Sequence, residues 1–389
     1  MAGLYIHLPF CKSRCIYCAF YSTTQHGLMD DYVTALCKEM ELRNTPPSSL
    51  HTPHSTLHTI YLGGGTPSQL PPALLHRLFH NIYKVYEVAA DAEITMECNP
   101  DDITRDYAQM IGELPINRVS MGAQTFSDER LRFLHRRHNS SQVREAVDLL
   151  RQNGIQNISI DLMFGFPGET TQDWEQDIHD ALVLDVEHLS AYSLMIEEGT
   201  ELYRRFGSAG VREYENSKEE LEREMYETLI DRLTAAGYEH YEISNFAKKG
   251  FRSRHNSSYW NDTPYIGIGA AAHSYCSPAL HPQGLGKRSW NVADIKAYIE
   301  GMKQGKRLFE EETIDADTHY NDLVTVALRT REGLDLSALS EKHRTYAIKN
   351  ARRFINDGLL ELTDNRLHLT RRGLFVSDMI MTELIIPPR

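Results

Sequence analysis

A chain of 389 residues, 41% hydrophobic and 24% charged, has the composition of an ordinary globular protein and is long enough for roughly two to three domains around a sizeable core. Its formal net charge of −13 excludes a surface generally attracted to nucleic acid or acidic membranes. No apolar run approaches the roughly 18 residues of a membrane span and no charged-then-apolar leader is visible, so a cytoplasmic protein is expected, without a nucleic-acid partner and with room only for peripheral membrane association.

The first predicted strand, Leu4–Leu8, runs into Cys11-Lys12-Ser13-Arg14-Cys15-Ile16-Tyr17-Cys18. Three thiols this close together are soft ligands that can close on one metal centre, an iron–sulfur cluster or zinc. Three is one short of a closed four-ligand site. A cubane [4Fe-4S] cluster held this way keeps one iron open for substrate chemistry, whereas a zinc knuckle would take His7 or His26 as its fourth ligand. Of the other cysteines, too few for a disulfide scaffold, Cys37 reads as a small buried apolar side chain, while Cys98 and Cys276 sit beside motifs.

Short apolar runs then alternate with stretches of helical period, the signature of repeated βα units around a parallel sheet or barrel. Further strands are expected at Thr59–Leu62, Glu93–Glu97, Arg118–Met121, Ser159–Met163 and Leu189–Leu194, with helices near 30–43, 72–84, 104–113, 141–153, 171–184 and 217–236. Six units rather than eight imply a partial barrel, open on one side. Residues 44–58, rich in Pro, Ser, Thr and His, read as a solvated loop, because His51, His54 and His58 have no Cys, Asp or Glu beside them.

Each motif with chemical content follows a strand, where parallel barrels build their sites. Gly63-Gly64-Gly65-Thr66-Pro67 either lets the backbone approach a ligand or merely turns the chain from strand to helix. Glu97-Cys98-Asn99-Pro100 puts a carboxylate at a strand end, with helix capping as the competing role for Asn99 and Asp101. Gln124 and Asp161 stand near the ends of the fourth and fifth strands, where buried polar groups must be paired.

Past residue 236 the pattern breaks. Tyr238–Phe246 reads as one more strand, followed to about residue 290 by an irregular aromatic and glycine-rich stretch that contains His255, Asn256, Tyr259 and Trp260. From about residue 318, helices at His319–Arg329, Leu336–His343 and Tyr346–Asp357, a hairpin turning at Asp364-Asn365 and a final helix make a winged-helix-like module. Its acidic and basic residues nearly balance, so it reads as a lid over the open side of the barrel rather than a nucleic-acid reader. The chain thus divides into a barrel (1–236), the irregular aromatic and glycine-rich segment (237–300) and the C-terminal module (301–389).

The pattern CxxxCxYC after the first strand, with Gly63-Gly64-Gly65-Thr66-Pro67 after the second, resembles the radical S-adenosylmethionine (SAM) superfamily over roughly the first 235 residues. The resemblance implies an α/β fold: a partial (β/α)6 TIM-like barrel of the radical SAM type, here with a C-terminal winged-helix-like α+β module. It implies a [4Fe-4S] cluster on Cys11, Cys15 and Cys18, whose free iron takes the amino and carboxylate groups of SAM. Once an electron donor reduces such a cluster, SAM can be split into methionine and a 5'-deoxyadenosyl radical. It further implies contacts to the methionine part of SAM from Gly64, Gly65 and Thr66 and to the ribose from Glu97. By similarity to the porphyrin-related branch, Tyr5, Tyr17, Gln124, Arg136 and Asp161 join the SAM site.

Two subgroups of that branch differ at readable positions. The oxygen-independent coproporphyrinogen III dehydrogenases show CxxxCxxCxC and a sizeable extension before the cluster, whereas this chain has Phe20 at the place of the further cysteine and little before Tyr5. The heme chaperones instead show HNxxYW, matched by His255, Asn256, Tyr259 and Trp260. The resemblance therefore implies heme as ligand, delivered to acceptor proteins; His255, which opens the match, is the first choice of iron ligand, with Tyr259 and Trp260 lining the macrocycle, and the competing reading is that His255 and Asn256 satisfy buried backbone groups while Trp260 is core. His240, His273 and Cys276 are the fallback ligands. The alternatives are a dehydrogenase that decarboxylates porphyrinogen propionates and a zinc-stabilised binding protein.

Overall fold

The computed structural model describes residues 2–44, 56–278 and 284–387. Strands β1 (Ala2–Leu8), β2 (Leu57–Gly64), β3 (Val88–Cys98), β4 (Arg118–Gln124), β5 (Asn157–Phe164) and β6 (His188–Ser193) pair in parallel and in chain order. Between them run α1 (Met29–Arg43), α2 (Pro72–Val85), α3 (Arg105–Glu113), α4 (Asp128–Phe133), α5 (Ser140–Gln152) and α6 (Thr171–Val183). These are the six expected units. Helix starts are written locally: Asn139 and Gln142 close a reciprocal cap on α5, Thr170 and Asp173 another on α6, each typically contributing about 1 kcal/mol.

Alternation along the strands decides what lies on each face. Leu4, Ile6, Ile60, Leu62, Val119 and Leu162 point outward into the main core beneath the helices. The intervening positions are polar, among them Thr59, Thr95, Arg118, Ser120, Ser159 and His188, all buried. The register sets Ser120 beside both Glu97 and Ser159, so these side chains share one level of the barrel lumen. A closed eight-stranded barrel usually fills its lumen with branched apolar side chains. This one keeps a polar lumen.

The stretch after residue 236 is not irregular. α7 (Glu201–Ala235) leads into β7 (Glu239–Glu242) and β8 (Asn245–Ala247), a hairpin on the β6 edge. After α8 (Arg254–Tyr259), strands β9 (Tyr265–Ile268), β10 (His273–Cys276) and β11 (Gly286–Asn291), then α9 (Ile295–Lys303) and β12 (Phe309–Ile314), build out from β1 at the other edge. The result is one twelve-stranded sheet in the order β12-β11-β10-β9-β1-β2-β3-β4-β5-β6-β8-β7. Four of its six added strands, β7 to β10, span only three or four residues, too few to show a period of two. α7 also starts well before residue 217: Thr200 caps it, and it consists of two helical segments joined at a kink where Gly207 (φ 66°) leaves the helical conformation. His58 lies in β2 rather than in a loop, and His51 and His54 lie outside the described residues.

The C-terminal unit has its own core, including Tyr320, Val324, Phe354, Leu367 and Leu384. It comprises α10 (Ala316–Ala327), β13 (Leu334–Asp335), α11 (Glu341–Asn356), β14 (Leu360–Thr363), β15 (Arg366–Leu369), α12 (Arg371–Leu374) and α13 (Ser377–Leu384). The hairpin turns as expected on two left-handed residues, Asp364 (φ 51°) and Asn365 (φ 63°). The expected helix at 336–343 is absent. Asp335 instead accepts from Ser337 N at 2.8 Å in a tight turn, and Ser340 caps α11, which absorbs the helix expected at 346–357. Because α9 and β12 pack with the large sheet, this unit opens at α10 and not at residue 301. It touches both ends of the sheet: Ile243 N donates to Arg329 O and Arg331 N to Tyr241 O, each at 3.0 Å, while Arg288 pairs with Asp322 at 2.8 Å. Among the described residues no helix is long and apolar enough to cross a membrane.

Candidate cluster and cofactor site

The loop after β1 has a fixed neck. Thr23 N donates to Pro9 O at 2.7 Å and Cys11 N to Thr23 O at 2.9 Å, so the three cysteines project together from the carboxyl end of β1. Ile16 pins the loop from the other side, buried with Leu134, Met163, Phe166 and Leu194, its backbone bonded to Leu134 O and Leu202 N. All three thiols are free and partly exposed. Thr66 Oγ1 donates to Cys11 Sγ at 3.4 Å and Arg136 Nη1 to Cys15 Sγ at 3.7 Å, contacts that favour the iron-binding thiolate. Burial pushes the Cys11 and Cys18 thiols up, against Thr66 at Cys11 and the Phe20 backbone at Cys18.

This donor set fits a cubane cluster better than one zinc ion. Among the described residues no three His, Cys, Asp or Glu side chains converge as a single ion requires, whereas a cubane spreads its thiolates over separate irons. Of the histidines that zinc would need as a fourth ligand, His7 has both ring nitrogens taken and His26 one. His7 Nε2 donates to Tyr21 O at 3.0 Å while its Nδ1 accepts from Tyr5 Oη at 3.1 Å, and His26 Nε2 bonds Cys11 O at 3.0 Å.

The glycine motif abuts the cluster loop. Gly65 N donates to Leu8 O at 2.9 Å and Thr66 N to Phe10 O at 2.8 Å. A Cβ on Gly65 would lie 2.6 Å from the carbonyl carbon of Pro9, and one on Gly64 (φ 112°) 2.5 Å from the His7 ring, so packing alone already requires glycine at both. Glu97, at the end of β3, accepts from Tyr61 Oη at 2.8 Å and from Gly64 N at 3.1 Å. Burial pushes its carboxyl up to about 7, although these two donors and Arg118 pull the other way.

Arg136 is the residue that ties the strand ends together. One guanidinium reaches Cys15, Asn99 Oδ1 (2.9 Å) and the Gly122 carbonyl, while its buried Nε has no hydrogen-bond partner. Its neighbours face elsewhere: Arg137 pairs with Asp101 and Asp102, and His138 bonds Ala123 O. Gln124 adopts φ 67° at the end of β4, its amide beside Gly122 and Arg136. Asp161 is bonded to Ser190 and Ser120, and burial raises its carboxyl. Tyr17 is raised by burial against the charge of Arg136, and Tyr5 lies below, between His7 and Tyr61. The nine SAM candidates thus gather at the mouth and upper lumen of the barrel. Asn99, noted in the sequence only as a cap, belongs with them through Arg136.

The heme candidates lie elsewhere. Glu93 accepts from the backbone N–H groups of Arg254 and His255, both at 2.9 Å, and so draws α8 into the amino-terminal end of the lumen. There His255 is 1% exposed, with Nδ1 on Thr59 Oγ1 and Nε2 on Tyr259 Oη, both at 2.9 Å. In this conformation it is a packed lumen residue and not an open axial ligand, because both ring nitrogens are taken and Tyr61 stacks on the ring at 5.1 Å. Tyr259 and Trp260 instead border a cavity of about 260 Å³ whose walls include Tyr265, Tyr275, Arg288 and His319. The Trp260 indole N–H is buried there without a partner. Of the fallback ligands, His240 stacks on Phe246, His273 on Trp290, and Cys276 is buried.

The comparisons with known proteins agree with this geometry. The Radical SAM superfamily matches residues 5–181 and the HemN C-terminal domain residues 314–376. In solved structures the chain resembles the coproporphyrinogen III oxidase HemN of Escherichia coli, at a TM-score of 0.79 and 22% identity over 98% of this chain and 89% of that one. That likeness gives the fold. Among curated proteins it is 33% identical to the heme chaperone HemW of Mycobacterium tuberculosis over 98% of this chain and 94% of the relative. The HemW of Bacillus subtilis is 34% identical over 98% of both chains, so this chain belongs to the HemW family of the radical SAM superfamily.

Proposed function

We propose that the protein is a cytoplasmic heme chaperone, which binds heme and passes it to acceptor proteins while carrying a SAM-liganded [4Fe-4S] cluster. The observation that carries this reading is the end-to-end likeness to curated heme chaperones. Phe20 adds to it: the position of the dehydrogenases' further cysteine is held here by an aromatic side chain 72% exposed beside the cluster loop. A bound cluster, if reduced by an electron donor, would supply an electron to the SAM held on it. The chain's own residues hold and orient: Cys11, Cys15 and Cys18 as iron ligands, Gly64, Gly65 and Thr66 at the methionine end of SAM, Glu97 at the ribose. Tyr5, Tyr17, Gln124, Arg136 and Asp161 complete the SAM site.

Two results are expected of the SAM placement. Glu97→Ala removes an acceptor for two hydroxyls, and at roughly 1.5–3 kcal/mol for hydrogen bonds to a charged group SAM binding weakens at least about tenfold. Because burial holds Glu97 up to about 7 in the free protein, it must shed a proton to accept those hydroxyls at lower pH. SAM affinity therefore rises with pH, by up to about tenfold per pH unit, and levels off above that value. Equilibrium dialysis of SAM across pH measures both, and an unchanged affinity in Glu97→Ala would refute the placement.

For heme we assign the Tyr259 and Trp260 face. A cavity of about 260 Å³ is below the roughly 300–1,000 Å³ of pockets that enclose whole ligands, so a porphyrin there is held by an edge, which suits a carrier that must release it. A Soret band should grow when wild type is titrated with heme, and Trp260→Ala should weaken the binding. A band displaced in His255→Ala would mean that α8 leaves the lumen to present the imidazole. No heme binding by wild type would sink the chaperone reading, and decarboxylation of coproporphyrinogen III by reduced protein with SAM would favour the dehydrogenase.

A further inference from the structure

Arg118, the first residue of β4, is 1% exposed, and its Nε and Nη1 have no hydrogen-bond partner. A buried guanidinium left this way is costly unless its charge serves neighbouring groups. Those neighbours converge on it. Its charge acts on Tyr61 from β2, Glu97 from β3, Asp161 from β5, His188 from β6, Tyr241 from β7 and His255 from α8. The register places it level with Thr95, itself buried without a hydroxyl partner, and two residues below Ser120, which lies beside Glu97.

We propose that Arg118 is a positioning residue for SAM: its guanidinium, buried in the lumen with two nitrogens unbonded, is the counter-charge that keeps Glu97 an acceptor for the ribose hydroxyls. Arg118 acts through Glu97 and does not touch the cofactor. The inference rests on the SAM placement given above. The other titratable groups facing Glu97 are Tyr5 from β1, Tyr61 from β2, Asp161 from β5 and Tyr259 from α8, all neutral or anionic, and Asp161 has a second cation in Arg136. Glu97 lies one pleat above Arg118 on the neighbouring strand and, among these groups, has no other cation.

The test is equilibrium dialysis of SAM against cluster-reconstituted protein from about pH 6 to 9, for wild type, Arg118→Gln and Arg118→Lys. If losing the cation raises Glu97 by about one pH unit, SAM binding should weaken about tenfold at pH 6 and about fivefold near pH 7. The deficit should shrink towards pH 9, and Arg118→Lys should restore most of the affinity with the wild-type pH dependence. A deficit constant across pH marks a merely structural role and overturns the inference, as does no deficit or a shifted pH profile in the lysine variant. Should Arg118→Gln fold poorly, the comparison is made in Glu97→Gln protein, where removing the cation should cost no further affinity and an undiminished loss overturns the claim. No SAM binding by wild type would overturn the SAM placement and this inference together.

Discussion

Protein in which Cys11, Cys15 and Cys18 are all alanine should emerge from anaerobic reconstitution colourless, with iron and sulfide near background and no visible iron–sulfur absorbance. The expected loss is total because the chain offers no replacement set: Cys37, Cys98 and Cys276 are scattered singly and the latter two are buried. The loop should survive the change. Its neck is backbone to backbone, Thr23 to Pro9 and to Cys11, and Ile16 anchors it through packing. The variant should thus keep its circular dichroism spectrum while losing the cluster, which separates a ligand's role from a structural one. Cys11→Ala alone should also abolish the cluster. Full absorbance in the triple variant would refute the assignment, and zinc found at one equivalent in anaerobically purified wild type would revive the knuckle.

Much of the barrel is readable in the chain because each parallel strand carries two messages at once. Ile60 and Leu62 call for a helix-covered face, and Thr59 and Tyr61 between them for a polar lumen. The site is readable for the same reason: Glu97 and Gln124 end strands, and three close thiols have no ordinary packing use. What stays hidden is tertiary. Strands β7 to β10 are so short that only sheet pairing makes them strands, and the two groups of added strands, β7–β8 and β9–β12, attach to opposite edges through β6 and β1. His255 is misleading for a related reason. As a sequence motif it looks like a metal ligand, but Glu93, distant in the chain, caps α8 and pulls the imidazole into the lumen.

Glu39 is the least legible residue of all, and its replacement carries the largest expected effect on stability. In the sequence it is one more acid in an amphipathic helix, with Lys38 and Glu41 beside it. In the structure it is 0% exposed and receives Tyr298 Oη at 2.7 Å, Asn291 Nδ2 at 2.9 Å and Gly269 N at 3.0 Å, with Arg43 at 3.3 Å and Arg307 at 3.4 Å. Every partner except Arg43 comes from residues 269–307, so one carboxylate fastens α1 to the strands and helix that extend the barrel beyond β1. Taking it away leaves two largely buried guanidinium groups facing each other. Burial and Arg43 already hold Arg307 down to about 10 with the carboxylate present. Breaking a buried pair in this manner typically costs about 3–5 kcal/mol, against about 0–1 kcal/mol for an exposed one. Glu39→Ala should therefore shift the urea midpoint strongly, and Asp31→Ala, which breaks the exposed pair with Lys303 on the same two helices, should barely move it. Hydrogen exchange should locate the weakness: amides of β9 to β11 and α9 lose protection first, while those of β3 to β6 keep theirs. Equal, small shifts in the two variants would mean that apolar packing of Ile295, Tyr298 and Met302 on α1 fastens this edge without the charge.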